Sequence, residues 1–235
     1  MEPATAEPAR SPHARPRFDP SRLRAFLRRD RVNLLIGPNG AGKSTLLDTL
    51  SGELDAQGQH TGTVLPTVAY QTQDPGFLPT LTVRQTLRLY RGLGGEPATP
   101  EIARLVHLLD SVLDQKRGSL SGGQWRLVDI AGTCLLDRKT YLFDEPPSGI
   151  DPDNARIVVD ALCSLVRNGE DGRTVVASLH DLALIPWFGD PWIVRLGTGL
   201  DGSPATVRIR TGLASQLVLP KSDNGSSHDV EFTPR

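Results

Sequence analysis

Val32-Asn33-Leu34-Leu35-Ile36-Gly37-Pro38-Asn39-Gly40-Ala41-Gly42-Lys43-Ser44-Thr45-Leu46-Leu47-Asp48-Thr49-Leu50 sets an apolar strand, a glycine-rich turn and a helical stretch in immediate succession, and that order decides the fold. Residues 37–45 satisfy the phosphate-binding pattern G-x-x-x-x-G-K-[ST]. Gly37, Gly40 and Gly42 permit a turn tight enough for successive amide N–H groups to face one anion, with Pro38, Asn39 and Ala41 between them. Lys43 is placed to reach the β- and γ-phosphates, and Ser44 to offer its hydroxyl to Mg2+. Thr45 lies in the first turn of a helix whose N-terminus favours negative charge. Lysine occurs only at 43, 116, 139 and 221, while arginine carries most positive charge elsewhere. A compact ammonium at 43 suits a phosphate.

The 235 residues suffice for one well-cored domain with an inserted lobe and are few for two independent domains. A formal net charge of -1 gives no global reason to expect nucleic acid or an acidic membrane surface, so no nucleic-acid partner is expected. No apolar run approaches the roughly 20 residues that cross a bilayer. Residues 1–20 lack the apolar centre of a secretory signal, and a cytoplasmic protein is the expectation. Cys134 and Cys163 lie in apolar, helix-like segments without metal-ligand spacing and read as reduced core cysteines.

Residues 1–17, rich in Pro, Ala and Arg, read as a disordered arm; the domain spans 18–220, and 221–235 again reads as disordered. Beyond the first helix, a turn at 58–62 leads to short strands at Thr63-Val64-Leu65 and Thr67-Val68-Ala69-Tyr70. Residues 83–90 and 102–109 carry apolar side chains at helical spacing on either side of a Gly/Pro-rich stretch, which predicts a helical lobe over 74–122. A helix over 124–136, a strand at Thr140-Tyr141-Leu142-Phe143, a helix over 155–167 and a strand at Thr174-Val175-Val176-Ala177-Ser178 follow. This order predicts an α/β fold with a mainly parallel sheet covered by helices.

Three further stretches carry chemistry. Asp144-Glu145 closes a buried strand downstream of the phosphate loop, where a carboxylate pair suits metal positioning and base work. Leu120-Ser121-Gly122-Gly123-Gln124 stands before a helix, and taken alone is an ordinary N-cap with a flexible approach. His180 follows the last core strand. Together these resemble the nucleotide-binding subunit of ATP-binding cassette (ABC) proteins, whose signature is LSGGQ, over residues 32–181.

The resemblance implies a P-loop NTPase core with an inserted helical subdomain, and ATP and Mg2+ as cofactors. Asp144, with Ser44 and Gln73, would hold Mg2+, and Glu145 would activate the attacking water. His180 would contact the γ-phosphate. Gln73, in Tyr70-Gln71-Thr72-Gln73-Asp74-Pro75-Gly76-Phe77-Leu78-Pro79-Thr80-Leu81-Thr82-Val83, resembles the family's sensing glutamine, with Gln71 the weaker competitor. Ser148-Gly149-Ile150-Asp151 resembles the loop that crosses the dimer interface. Ser121, Gly122, Gly123 and Gln124 would close over ATP bound to a second copy, which implies an ATP-dependent head-to-tail homodimer. A separate transmembrane permease would dock near Gln73 and 77–81, with the chain peripheral at the inner face of the membrane. Phe18 is the candidate to stack on adenine.

The chain departs from the family after Gln124, where Trp125-Arg126-Leu127-Val128-Asp129-Ile130-Ala131-Gly132-Thr133-Cys134 replaces the usual basic helix and Ala-Arg-Ala-Leu run. The competing class is a soluble ABC-type ATPase acting on DNA or ribosomes; the short insert and the single cassette favour transport. A P-loop small-molecule kinase leaves 120–124 and Glu145 without a role.

Overall fold

The computed structural model describes residues 18–56, 58–72, 80–94, 99–167, 173–198, 207–214 and 228–232. The arm 1–17, Gln73 and the docking residues Phe77 and Leu78 lie outside them. Among the described residues, seven strands form one sheet: β1 (Asn33–Ile36), β2 (Val68–Gln71), β3 (Thr140–Phe143), β4 (Thr174–Ser178), β5 (Trp192–Thr198), β6 (Val207–Leu213) and β7 (His228–Phe232). Their spatial order is β2-β3-β4-β1-β5-β6-β7. The first five run parallel, and β6 and β7 extend the sheet antiparallel.

The parallel strands are short, apolar and buried on both faces, as helical crossovers on both sides require. Side chains alternate between two cores. Tyr141, Phe143, Val175 and Ala177 face one, beneath α3 (Val83–Gly94), α4 (Pro100–His107), α5 (Gly122–Leu135) and α6 (Pro152–Arg167). Leu35, Leu142, Val176 and Val194 face the other, packed with Leu46, Leu47 and Leu50 of α2 (Lys43–Ser51) and with Leu23 of α1 (Pro20–Ala25).

The helical lobe is α3 and α4, followed by two single 3-10 turns that lead to the start of α5. α3 packs on α5, and α4 on α5 and α6. The departures after Gln124 find their packing reason here. A Cβ at Gly132 would fall inside the Tyr90 ring, so glycine lets the aromatic ring of α3 lie directly on α5. Asp129, one turn earlier on α5, hydrogen-bonds the Tyr90 side chain.

Two expectations are corrected. Residues 63–65 pair with no strand; Leu65 N–H donates to Ser51 O and its side chain covers Gly52, so the segment is tied to the end of α2. The 221–235 stretch is not wholly without structure, because 228–232 form β7 on the free edge of β6. Sequence reading also passes over β5 and β6, although Val207-Arg208-Ile209-Arg210-Thr211 alternates apolar and polar residues with a strand's period. Helix α1 precedes β1 without having been expected, started by Asp19, whose carboxylate accepts the Ser21 N–H.

Gly132→Ala forces the Tyr90 ring off α5. Overpacking of this kind costs about 1–3 kcal/mol, and calorimetry should record a fall in Tm of about 2–10 °C. An unchanged Tm would mean that the ring moves aside freely.

Candidate functional site

Leu35 is registered with Ser178, and Phe143 with Ala177, so the carboxyl ends of β1, β3 and β4 lie side by side. Loops leaving that edge of a parallel sheet bring sequence-distant residues together. β1 runs into the phosphate loop. A Cβ at Gly37 would stand 2.6 Å from Leu196 O on β5, which makes glycine obligatory there. Gly42, at φ 90°, caps α2 without a side-chain hydrogen bond to the first-turn amides, leaving those N–H groups for an anionic ligand. Lys43 is buried, and its Nζ donates to Gly37 O at 2.9 Å and Pro38 O at 3.2 Å. The charge is thereby held against the loop. Ser44 is exposed beside it, and Pro38, Asn39 and Gly40 form the exposed tip.

β3 delivers the carboxylates. Asp144 is 3% exposed, and its Oδ1 accepts from Ser178 Oγ at 2.6 Å. The same hydroxyl accepts the Glu145 N–H at 2.7 Å, so one side chain of β4 orients both acidic residues. Glu145 has φ 51°, a left-handed conformation taken by no other non-glycine residue among those described. Such a backbone persists where its neighbours over-determine it. Its carbonyl accepts from Ser148 N–H at 3.0 Å and from Arg126 Nη1 at 2.5 Å. His180, exposed past the end of β4, joins Glu145, Ser148, Ile150, Leu184 and Trp187 around a cleft of about 400 Å3. Sequence reading misses Ser178 and Arg126. The signal for Ser178 is a hydroxyl that closes a strand directly after the apolar run Val175-Val176-Ala177; Arg126 has no signal before its helix is docked.

Ser121 caps α5 through a reciprocal pair: its Oγ accepts the Gln124 N–H at 3.2 Å, and Gln124 Oε1 accepts the Ser121 N–H at 2.9 Å. A Cβ at Gly123 would lie 2.8 Å from Gly149 O, so the signature turn packs at Gly123 against Gly149 and Ile150. Among the described residues, no hydrogen bond joins 121–124 to the phosphate loop of the same chain.

Phe18 does not serve as an adenine platform in this fold. It is 1% exposed and packs with Leu23, Leu46 and Leu47, because α1 folds it under the sheet. Gln71, the competitor of Gln73, is also interior. It is 1% exposed, its carbonyl accepts the Asp144 N–H, and its side chain turns to Thr72 O and Asp129. Burial pushes the Asp129 acid up to about 7, against hydrogen bonds from Gln71 and Tyr90 and the charges of Arg126 and Arg117. Cys134 is buried and Cys163 half-buried, and neither forms a disulfide.

A glycine loop holding its lysine, beside an acidic pair whose Asp144 carboxylate and Glu145 backbone N–H share one hydroxyl, on a parallel sheet with a helical insert, defines an ATPase of the ATP-binding cassette class. The ABC transporter family model matches residues 21–148, and the chain belongs to that family. It is similar to the vitamin B12 import ATP-binding protein BtuD of Yersinia pseudotuberculosis, 34% identical over 207 residues, covering 78% of this chain and 80% of that protein. It is 36% identical over 173 residues to ABC transporter G family member 11 of Arabidopsis thaliana; that covers 63% of this chain, which spans 24% of the plant protein's length. The solved structure of an ATP-binding subunit of an ABC transporter superposes with a TM-score of 0.63 at 25% identity, covering 81% of each chain. Among the described residues, no helix is long and apolar enough to cross a membrane.

Asp129 gives the fold a pH signature. Its folded acid titrates near 7 and its unfolded acid near the ordinary aspartate value of about 3.9. The native state therefore binds the extra proton between these values, and stability falls as pH rises through the window. Asp129→Asn should flatten the decline in Tm between pH 5 and 7, a slope worth at most about 1.4 kcal/mol per pH unit. Wild-type and variant curves that stay parallel across the window would refute the assignment.

Proposed function

We propose that this chain is the ATP-hydrolysing subunit of an ABC transporter, peripheral at the inner face of the membrane and driving a separate permease. The observation that carries the site is the Ser178 hydroxyl, which fixes Asp144 and Glu145 together at the mouth of the phosphate loop. The loop amides, Lys43 and the α2 N-terminus bind the phosphates, and residues 37–45 cradle them. Ser44 and Asp144 present oxygen donors, the set that suits Mg2+, with Gln73 as a further ligand. Bound there, Mg2+ would neutralise phosphate charge during transfer. Glu145 acts as the base that takes a proton from the attacking water, and His180 contacts the γ-phosphate. Phosphoryl transfer to water needs chiefly positioning and charge stabilisation, which this set can supply.

The signature residues Ser121, Gly122, Gly123 and Gln124 act on the ATP of a second copy. The reading is supported by the packing of Gly123 against Gly149 and Ile150 and, among the described residues, by the lack of hydrogen bonds from 121–124 to their own phosphate loop. Two ATP molecules thus join a head-to-tail dimer that hydrolysis releases. The similarity to an import ATP-binding protein along most of its length favours a permease partner over DNA or ribosomes.

Three measurements test this. ATP with Mg2+ at a hundred times its Kd should stabilise the protein by about 2.7 kcal/mol, a Tm rise of about 5–10 °C, and Lys43→Ala should abolish it; an equal rise in both proteins would remove the phosphate site. Glu145→Gln should retain ATP, stop turnover and elute as a dimer on size exclusion. A variant that stays monomeric at saturating ATP would overturn the composite site, and ATPase activity stimulated by DNA or ribosomes but not by a permease would move the chain to the soluble class.

A further inference from the structure

The signature turn and the proposed base are joined within one protomer by a side chain that neither motif contains. Residues 121–124 form the first turn of α5, locked by the Ser121–Gln124 cap. Arg126 lies in the next turn of the same rigid helix and is half-buried, and its Nη1 donates to Glu145 O at 2.5 Å. Its charge is also felt by the buried carboxyl of Asp129, three residues further along α5. The guanidinium is therefore held between its own helix and the Glu145 backbone. The Glu145 peptide needs holding: its φ of 51° is disfavoured for a residue with a Cβ. Ser178 grips the peptide N–H on one side, and Arg126 with Ser148 N–H grips the carbonyl on the other. Of these, Arg126 supplies the charge-assisted bond, the stronger kind.

We infer that Arg126 is a positioning residue for hydrolysis, fixing the left-handed backbone of Glu145 from the signature helix so that displacement of that helix is transmitted to the base. The inference rests on Glu145 being that base. Loss of the bond leaves the carbonyl to Ser148 alone and frees the peptide to relax toward a commoner conformation, which swings the carboxylate away from the water it must deprotonate. Among the described residues, no hydrogen bond joins Arg126 to the phosphate loop, so ATP binding should not depend on it.

The test is steady-state ATPase kinetics with the ATP-induced Tm shift, on wild type, Arg126→Ala, Arg126→Lys and Glu145→Gln. Arg126→Ala should lower kcat by about ten- to a hundredfold, the scale of a small misplacement of a catalytic group. KM should stay within about twofold, the split expected when only transition-state stabilisation is lost, and the Tm shift should persist. Arg126→Lys should recover most of the turnover, because an ammonium can donate to the same carbonyl. A general loss of fold would depress the Tm shift as well and would not be rescued this way. Should Arg126→Ala fail to fold, Arg126→Gln, whose amide donates without charge, should lower kcat below that of Arg126→Lys at an unchanged KM, and a wild-type kcat in Arg126→Gln overturns the inference. An Arg126→Ala kcat at the wild-type level beside an inactive Glu145→Gln overturns the inference alone, as does a rise in KM that accounts for the whole loss. Wild-type turnover in Glu145→Gln overturns the base assignment, and this inference with it.

Discussion

The shared hydroxyl of Ser178 is the contact on which the site depends. It donates to Asp144 and accepts from the Glu145 N–H, so its two bonds fix adjacent residues in opposite senses. That is possible only because β3 and β4 run parallel in a register that sets Phe143 beside Ala177, which carries the next residue of each strand to the same edge. β1, paired with β4 on its other side, brings the phosphate loop to the same place. A slip of one residue would reverse which side chains face each core and separate the hydroxyl from the carboxylates.

α5 bears two duties that pull against each other. Its N-terminal end is exposed and capped by polar groups, and its remaining length is buried from Leu127 onward. Within that buried length the chain tolerates a carboxylate, Asp129, by surrounding it with Gln71, Tyr90, Arg117 and Arg126. Gly132 makes room for the tyrosine that reaches it. The unusual residues after the signature thus form one mutually dependent set, with a lobe helix, a core strand and the signature helix meeting at one acid. Burial of a charge is costly unless its partners compensate, and here the compensation is incomplete enough to raise the acid toward neutrality. The same helix, through Arg126, touches the strained residue at the end of β3.

Much was legible in the sequence. The phosphate loop announces itself because its chemistry demands particular residues at fixed spacing, and Lys43, Asp144 and Glu145 sit at strand or helix ends whose apolar runs have a clear period. The elements from β1 to β4 are read correctly apart from their ends and the 63–65 segment, because hydrophobic periodicity is a local property. The β5–β6–β7 edge was less legible, since antiparallel strands at a sheet margin are specified by the neighbour they pair with.

Sequence by itself determined that this chain carries a phosphate-binding loop, an acidic strand end and a signature motif, because each is written in consecutive residues. Tertiary structure alone decided that Phe18 is core rather than a base platform, that Gln71 faces inward, and that Ser178 and Arg126 hold the acidic pair from two different elements. The reason is physical: burial and hydrogen bonding between distant segments depend on strand register and helix docking, which are settled by the packing of the whole domain and leave no pattern in the local order of residues.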